Sequence, residues 1–514
     1  MSFFYCHPPG VAVSHLRGGI PGGFTQVTTA KIASFAASIA FFVVATRVLP
    51  MWAVGVASIS SLYSFVATVA ASLSVDRALT KRASEGVDPR VLSATALLAS
   101  PVLALLAAVI AFLLLSQERL VGVSLPLEDA VLVSISSALY LFTLSGNSIL
   151  FGLMDYRDAS LVLGVHGVLS GLLKAVGSFA GLRGVFAGMA LASAASSSLS
   201  WWLCLRRARP SSPSRWLLAD MLRYSLPLHP SSVARLLRDN VDRILVQMIA
   251  GPEALGLYAV AASVTRPLRV LGDSAAQVLF PALSRVEAGR GSAEVSRLMG
   301  PSIRYSLMVV APLSFLIAGL SRPILTLMAP EAYAEGYPIL TLYSLSMMLY
   351  SPLSVEIAAL MAVERTWSVS ASFFSSLASG TAASALMIWG VGLIGGPVGY
   401  ALGCIVGILT AKALLGEASS SPPWGRLARD MAAFSAAGLS SFCAVQAAPD
   451  PLSIPVGLAV WAAALAIGIR ILRALDERDV SLIERAVPRP LAPALRRALV
   501  LLSGISEARG EVIP

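Results

Sequence analysis

Between Arg235 and Arg285, charged residues sit inside segments otherwise apolar enough to span a bilayer. Arg235, Arg238, Asp239, Asp242 and Arg243 fall in one predicted helix, and Arg266, Arg269 and Asp273 in the next. An isolated charge at the bilayer centre costs about 2.5–3.5 kcal/mol on insertion scales. A chain this oily holds several such residues only where they face one another or a wet cavity. A transport site is the first expectation.

The surroundings are oily indeed. Hydrophobic residues make up 56% of the 514 and charged residues 13%, at a mean hydropathy of +0.77. That balance belongs to membrane proteins. The net charge of +10 would also suit nucleic acid. Most basic residues, however, lie between apolar segments, and none form runs interleaved with aromatics, so no nucleic-acid partner is expected. Cys6, Cys204, Cys404 and Cys443 lack metal-ligand spacing, and no further ligand joins Cys6, His7 and His15. His166 and His229 read as packing or hydrogen-bonded residues. Nucleophile elbow, phosphate-cradling glycine loop and triad signatures are all missing, so neither an enzyme, a cofactor nor a metal is expected.

Windows of about 20 apolar residues, enough to cross a bilayer, recur about fourteen times. They fall at 25–48, 51–73, 91–115, 129–152, 160–181 and 184–205, then at 225–250, 254–280, 304–329, 335–361, 367–391 and 393–415. A last pair covers 429–448 and 453–475. The expectation is an all-α polytopic membrane protein with six-helix lobes at 25–205 and 224–416, joined by a cytoplasmic linker at 206–223. Residues 1–24 and 476–514 are its cytoplasmic ends. Loops after even-numbered spans and the tail carry about 26 basic residues, those after odd-numbered spans only Arg47, Arg119, Arg183 and Arg322. This asymmetry places both termini in the cytoplasm, and Arg285, Arg290, Arg297 and Arg304 in one inner loop. Around Pro488, Pro490 and Pro493, residues 477–505 suit either surface helices or a solvated tail.

The two lobes echo one another. Leu49–Gly55 corresponds to Ala250–Gly256, Ala78–Lys81 to Ala282–Arg285, and Leu153–Arg157 to Leu360–Arg365. An even number of spans separates the copies, so they share one orientation, and a binding cavity between parallel lobes follows.

Within the charged stretch, Arg235 and Asp239, Arg238 and Asp242, and Asp239 and Arg243 stand at i,i+4 spacing. Five positive and three negative charges leave a surplus of two. One reading is a ladder of structural ion pairs using Asp239, Asp242, Arg243, Asp273 and Arg266, with Arg266 at the depth of Asp239. The other is an anion site in which Arg235, Arg238, Arg269 and Lys174 face a phosphate, with Arg266 and Lys31 nearby. Lys31 also suits snorkelling to the inner headgroups. Glu356 reads as a paired carboxylate or as the ligand of a coupling cation.

Asp242-Arg243-Ile244-Leu245, Leu255-Gly256-Leu257-Tyr258 and Phe280-Pro281-Ala282-Leu283-Ser284-Arg285 resemble the middle of polysaccharide and oligosaccharide flippases. These belong to the multidrug/oligosaccharidyl-lipid/polysaccharide exporter superfamily. The resemblance implies alternating access around a cationic central cavity and export of a polyprenyl-diphosphate-linked oligosaccharide across the plasma membrane. Partners would then be membrane lipids, the lipid-linked sugar and glycan-assembly proteins, with 429–475 helping to hold the lipid tail. Lys31 stands in the first span where drug-extruding relatives often carry an acidic cation site nearby, which disfavours cation-coupled multidrug efflux. A membrane-embedded glycan polymerase or ligase would need a large outer loop, and every expected outer loop is short.

Overall fold

Helix is the only regular structure in the computed structural model, which describes residues 19–448, 452–476 and 479. Cys6, His7, His15 and all of 477–505 except Asp479 lie outside the described residues. The helices are α1 (Gly19–Val48), α2 (Met51–Ser72), α3 (Val75–Ser84), α4 (Pro89–Leu115), α5 (Glu118–Val121), α6 (Leu127–Gly152), α7 (Tyr156–Gly177), α8 (Gly181–Arg207) and α9 (Arg215–Ser225). There follow α10 (His229–Arg238), α11 (Val241–Val264), α12 (Arg266–Arg290), α13 (Ser292–Gly319), α14 (Ser321–Met328) and α15 (Tyr337–Ala362). The last four are α16 (Thr366–Val391), α17 (Gly395–Leu415), α18 (Trp424–Ala447) and α19 (Ser453–Leu472).

By length and hydropathy, ten segments among the described residues can cross a membrane. Two of them, Tyr156–Arg207 and Thr366–Ala418, each hold two long helices joined through a 3-10 turn. The expected count of fourteen is not reached on this criterion, because α12 and α18 are too polar. Span 225–250 is also not one helix. It breaks between Arg238 and Val241, and its outer turn falls at Gly251, whose φ of 85° and ψ of −179° suit only glycine.

The chain forms two compact units. One holds Gly19–Leu49 and Ser60–Val233; the other holds Pro50–Ile59 and the described residues from Ala234 onward. In the first, α1 packs on α7, α6 on α4 and α8, and α7 on α8. In the second, α11 packs on α16, α15 on α13 and α17, and α16 on α17. These four pairings correspond between the units, in line with the internal repeat, while α12 packs in addition on α15 and α13. Leu79, Leu92, Ile149, Trp201, Cys204 and Met221 form a core where α3, α4, α6, α8 and α9 meet. The expected linker is therefore mostly structured: Arg206 and Arg207 end α8, and α9 packs on α3 and α4.

The two copies turn alike after their fourth spans, though not where the residues look alike. Met154 (φ 58°) and Glu364 (φ 57°) each end a helix in the left-handed region. Asp155 N–H donates to the Leu150 carbonyl (3.0 Å) and Arg365 N–H to the Leu360 carbonyl (2.9 Å), the same Schellman closure. Met154 thus matches Glu364, three residues beyond the Met361 that apolar similarity picks out. Backbone geometry sets this register, and side-chain likeness between oily helices does not.

Hydroxyls and close backbones replace core polarity. Thr68 bonds the Ser64 and Ser137 carbonyls at 2.9 and 3.1 Å, satisfying its hydroxyl without water. At Gly403 a side chain would meet Gly380 backbone, so α16 and α17 approach closely. Of the cysteines, Cys204 and Cys404 are buried free thiols and Cys443 is exposed.

Candidate functional site

Two helix breaks in the second unit bring the charges together. Asn240 (φ −143°, ψ 0°) cannot continue α10, and its side-chain amide donates to the Leu236 carbonyl (2.9 Å) in place of the helical ladder. Pro267 sets the second break. Lacking an N–H, it cannot follow α11 directly, and Thr265 closes that helix by donating its hydroxyl to the Ala262 carbonyl (2.9 Å). Discontinuous helices of this kind recur at transporter binding sites.

Asp239 sits in the first break and is shared by two arginines. One carboxylate oxygen accepts from Arg238 Nε at 3.0 Å and from Arg238 Nη2; the other accepts from Arg269 Nη2. Its partner on α12 is therefore Arg269, one turn beyond the expected Arg266, which lies exposed at the first turn of that helix. The expected i,i+4 pairs are not formed as salt bridges. The backbone turns at Asn240, between Arg238 and Asp242 and between Asp239 and Arg243. Asp239, whose N–H still donates to the Arg235 carbonyl (3.1 Å), is taken by Arg238 and Arg269. Asp242 instead accepts from the Tyr258 hydroxyl at 2.5 Å, and Asp273 from the Tyr350 hydroxyl at 2.5 Å. Asp239 is thus paired with two guanidinium groups, whereas Asp242 and Asp273 accept from phenols.

The arginines lie against aromatic faces. Arg238 stands 5.1 Å from the Tyr350 ring and 5.3 Å from Phe373, and Arg269 stands 5.7 Å from Tyr350. Arg238 is 3% exposed, Arg269 about one third, and Arg235 is exposed. Beyond Arg238 lies a small buried pocket lined by Val241, Asp242, Ser376, Gly380, Ser384, Tyr400 and Gly403. Four polar atoms of its lining, Arg238 Nη1, Asp242 Oδ1, Ser376 Oγ and the Tyr400 hydroxyl, find no protein partner. A water-sized space with converging donors and acceptors is where an ordered water belongs. Tyr258, Tyr343 and Tyr400 continue from it as a row of rings, 5.9 Å between successive centroids.

Lys174 and Lys31 belong to the first unit. Lys174 Nζ lies 4.8 Å from the Phe41 ring, and Lys31 is exposed on α1. In the same unit His166 stacks on Tyr140 at 4.3 Å and meets Ser196 Oγ at 3.0 Å. His229 Nδ1 lies 3.4 Å from Ser74 Oγ. Glu356 is fully buried, both its oxygens without a hydrogen bond and Lys412 Nζ 4.0 Å away. No group of three metal-ligating side chains converges among the described residues.

Sequence reasoning missed two parts of this arrangement. The tyrosines on α15 and α17 carry only a weak signal, a polar tip on an apolar body. Arg304, expected in an inner loop, is instead buried within α13. Its Nε donates to Asp430 at 2.7 Å, and its Nη1 and Nη2 donate to Asp479, both at 3.0 Å. The helix begins at Ser292, well upstream of the apolar window, and draws Arg304 inside.

Apolar spans, broken helices and a dry excess of guanidinium define a polytopic, all-helical membrane transporter. A family profile for polysaccharide biosynthesis proteins matches residues 91–338, and one for the lipid II flippase MurJ matches 231–448, across the charged site. Between them the two profiles span residues 91–448, and this part of the chain matches the lipid-linked flippases of the multidrug/oligosaccharidyl-lipid/polysaccharide exporter superfamily. The solved structures agree on the fold. An inward closed lipid II flippase MurJ superposes with a TM-score of 0.68 at 15% identity, over 87% of this chain and 99% of that one. A transporter of the superfamily from Pyrococcus furiosus gives 0.58 at 16% identity over 80% and 99%. An inward-facing multidrug resistance MATE transporter gives 0.56 at 16% over 76% and 98%. No curated protein matches the chain by sequence.

Proposed function

We propose that the protein is a flippase. It carries a polyprenyl-diphosphate-linked oligosaccharide from the cytoplasmic to the outer leaflet of the plasma membrane, for surface polysaccharide or glycoprotein assembly. The observation that carries this reading is one carboxylate, Asp239, shared by Arg238 and Arg269, which leaves a positive surplus beside a family match to flippases. Guanidinium donates paired hydrogen bonds to phosphate oxygens, so Arg269 and the exposed Arg235 are the groups that meet the diphosphate. The polar headgroup travels through the protein while the polyprenyl tail stays in lipid. With the inside negative, each uncompensated negative charge gains about 2.3 kcal/mol per 100 mV on moving outward.

Proteoliposomes loaded with a fluorescent polyprenyl-diphosphate sugar test this. Wild type exposes the sugar to an impermeant quencher, and the Arg235→Ala/Arg269→Ala variant, still folded, does not. Undiminished transport by that variant removes the anion site. The MATE-like neighbours and the buried Glu356, whose oxygens make no hydrogen bond, favour a second reading, cation-driven drug efflux. Drug uptake driven by a sodium or proton gradient, lost in Glu356→Gln, would establish it instead.

A further inference from the structure

A second cationic site lies away from the Asp239 cluster, where α18 and the end of α19 meet. α19 closes on Arg473 (φ 49°), and the chain folds back so that the Ala474 carbonyl accepts from Arg304 Nη2 at 2.9 Å. Beside this turn is a cavity of about 170 Å³ lined by Arg304, Arg426, Arg429, Arg473, Asp476 and Asp479. Its charges do not cancel. Asp479, together with Asp430 behind it, is committed to the buried Arg304. Asp476 takes Arg426 at 2.8 Å. Arg429 Nε donates to the Gly425 carbonyl at 3.2 Å, and neither Arg429 nor Arg473 forms a salt bridge among the described residues.

α18 and α19, which bring Arg426, Arg429 and Arg473 to the cavity, also expose apolar side chains. Ile467 and Ile471 on the last two turns of α19 are exposed, and Trp424 at the start of α18 is 63% exposed, a residue type that marks the headgroup level. A basic pocket on helices that also expose Ile467, Ile471 and Trp424 has the two-part chemistry of an acidic phospholipid.

We propose that this cavity binds the phosphate of an anionic phospholipid, held by Arg429 and Arg473, with the acyl chains lying along α19. The shared chemistry is a phosphate ester on a lipid, and the bilayer's own acidic lipid is the occupant. The proposal is independent of what the Asp239 cluster transports.

Native mass spectrometry of the full chain, released from detergent with phosphatidylglycerol, phosphatidylcholine, inorganic phosphate or a polyprenyl diphosphate, tests it. Phosphatidylglycerol is expected to be retained over phosphatidylcholine. Arg429→Gln/Arg473→Gln should weaken that retention by about 30-fold, two basic contacts' worth, without changing phosphatidylcholine. Asp476→Asn keeps the oxygen that accepts from the Asp479 N–H (3.0 Å) but removes the negative charge that neutralises Arg426, so it should tighten phosphatidylglycerol binding. That opposite sign separates the site from a folding defect. Equal retention of the two lipids, an unaffected double variant, or inorganic phosphate competing as well as the lipid would each overturn the proposal. Preferential capture of the polyprenyl diphosphate would overturn it too, by assigning the cavity to the cargo.

Discussion

Arg238 and Arg304 are almost equally dry, at 3% and 2% exposed, yet their neighbours carry opposite imbalances. Around Arg304, two carboxylates and a carbonyl close on one guanidinium, and each of its nitrogens finds an oxygen. Around Asp239, two guanidinium groups close on one carboxylate, and Arg238 Nη1 finds nothing in the protein. A buried charge with every donor satisfied is a fastening: here it ties α13 to α18 and to the chain leaving α19. At Asp239 the positive excess lies next to the one-third-exposed Arg269, and it is this excess that the proposed anion site uses. Burial alone does not distinguish the two clusters; the charge balance does.

The sharpest way to break this contrast is Arg304→Met. It leaves Asp430 and Asp479 buried without their counter-ion, and losing one partner of a buried pair costs about 3–5 kcal/mol. The purified variant should show a clear drop in melting temperature, partly recovered when Asp430→Asn and Asp479→Asn are added. A melting point equal to wild type would mean that the cluster fastens nothing.

Arg269→Ala should act the other way round. Asp239 keeps Arg238, so the loss is that of a charged hydrogen bond, about 1.5–3 kcal/mol. Transport of the polyprenyl-diphosphate sugar should nevertheless fall to background, because a neutral pair replaces the surplus. A variant that is badly unfolded but, per folded molecule, fully active would exchange the roles assigned to the two clusters.

Much of this is legible in the sequence alone. Apolar windows of bilayer length locate most of the long helices, because no other structure satisfies the backbone in lipid. Charges inside those windows locate Asp239, Arg238 and Arg269. The pairing was not readable, for local and for distant reasons. Locally, i,i+4 spacing presumes an unbroken helix, and Asn240 breaks it after Arg238, which hands Asp239 to α12. At a distance, Arg304 meets carboxylates 126 and 175 residues further along, and nothing near Arg304 announces them. The same holds for the turn after α15, where a left-handed Glu364 fixes a register that oily side chains disguise.

The smallest effect sharpens the comparison furthest. Tyr350 serves the Asp239 cluster in two ways: its ring lies against both arginines, and its hydroxyl donates to Asp273. Tyr350→Phe removes only the second. If Asp273 is merely tied down, stability should fall by about 1 kcal/mol, the net worth of an ordinary hydrogen bond, with transport near wild type. Tyr350→Leu removes the π face as well, and transport should then fall further than stability does, because both guanidinium groups lose the surface that orients them. Should the phenylalanine variant already lose transport, Asp273 must be acting on the cargo's path, and the surplus charge would have to be counted with Asp273 included.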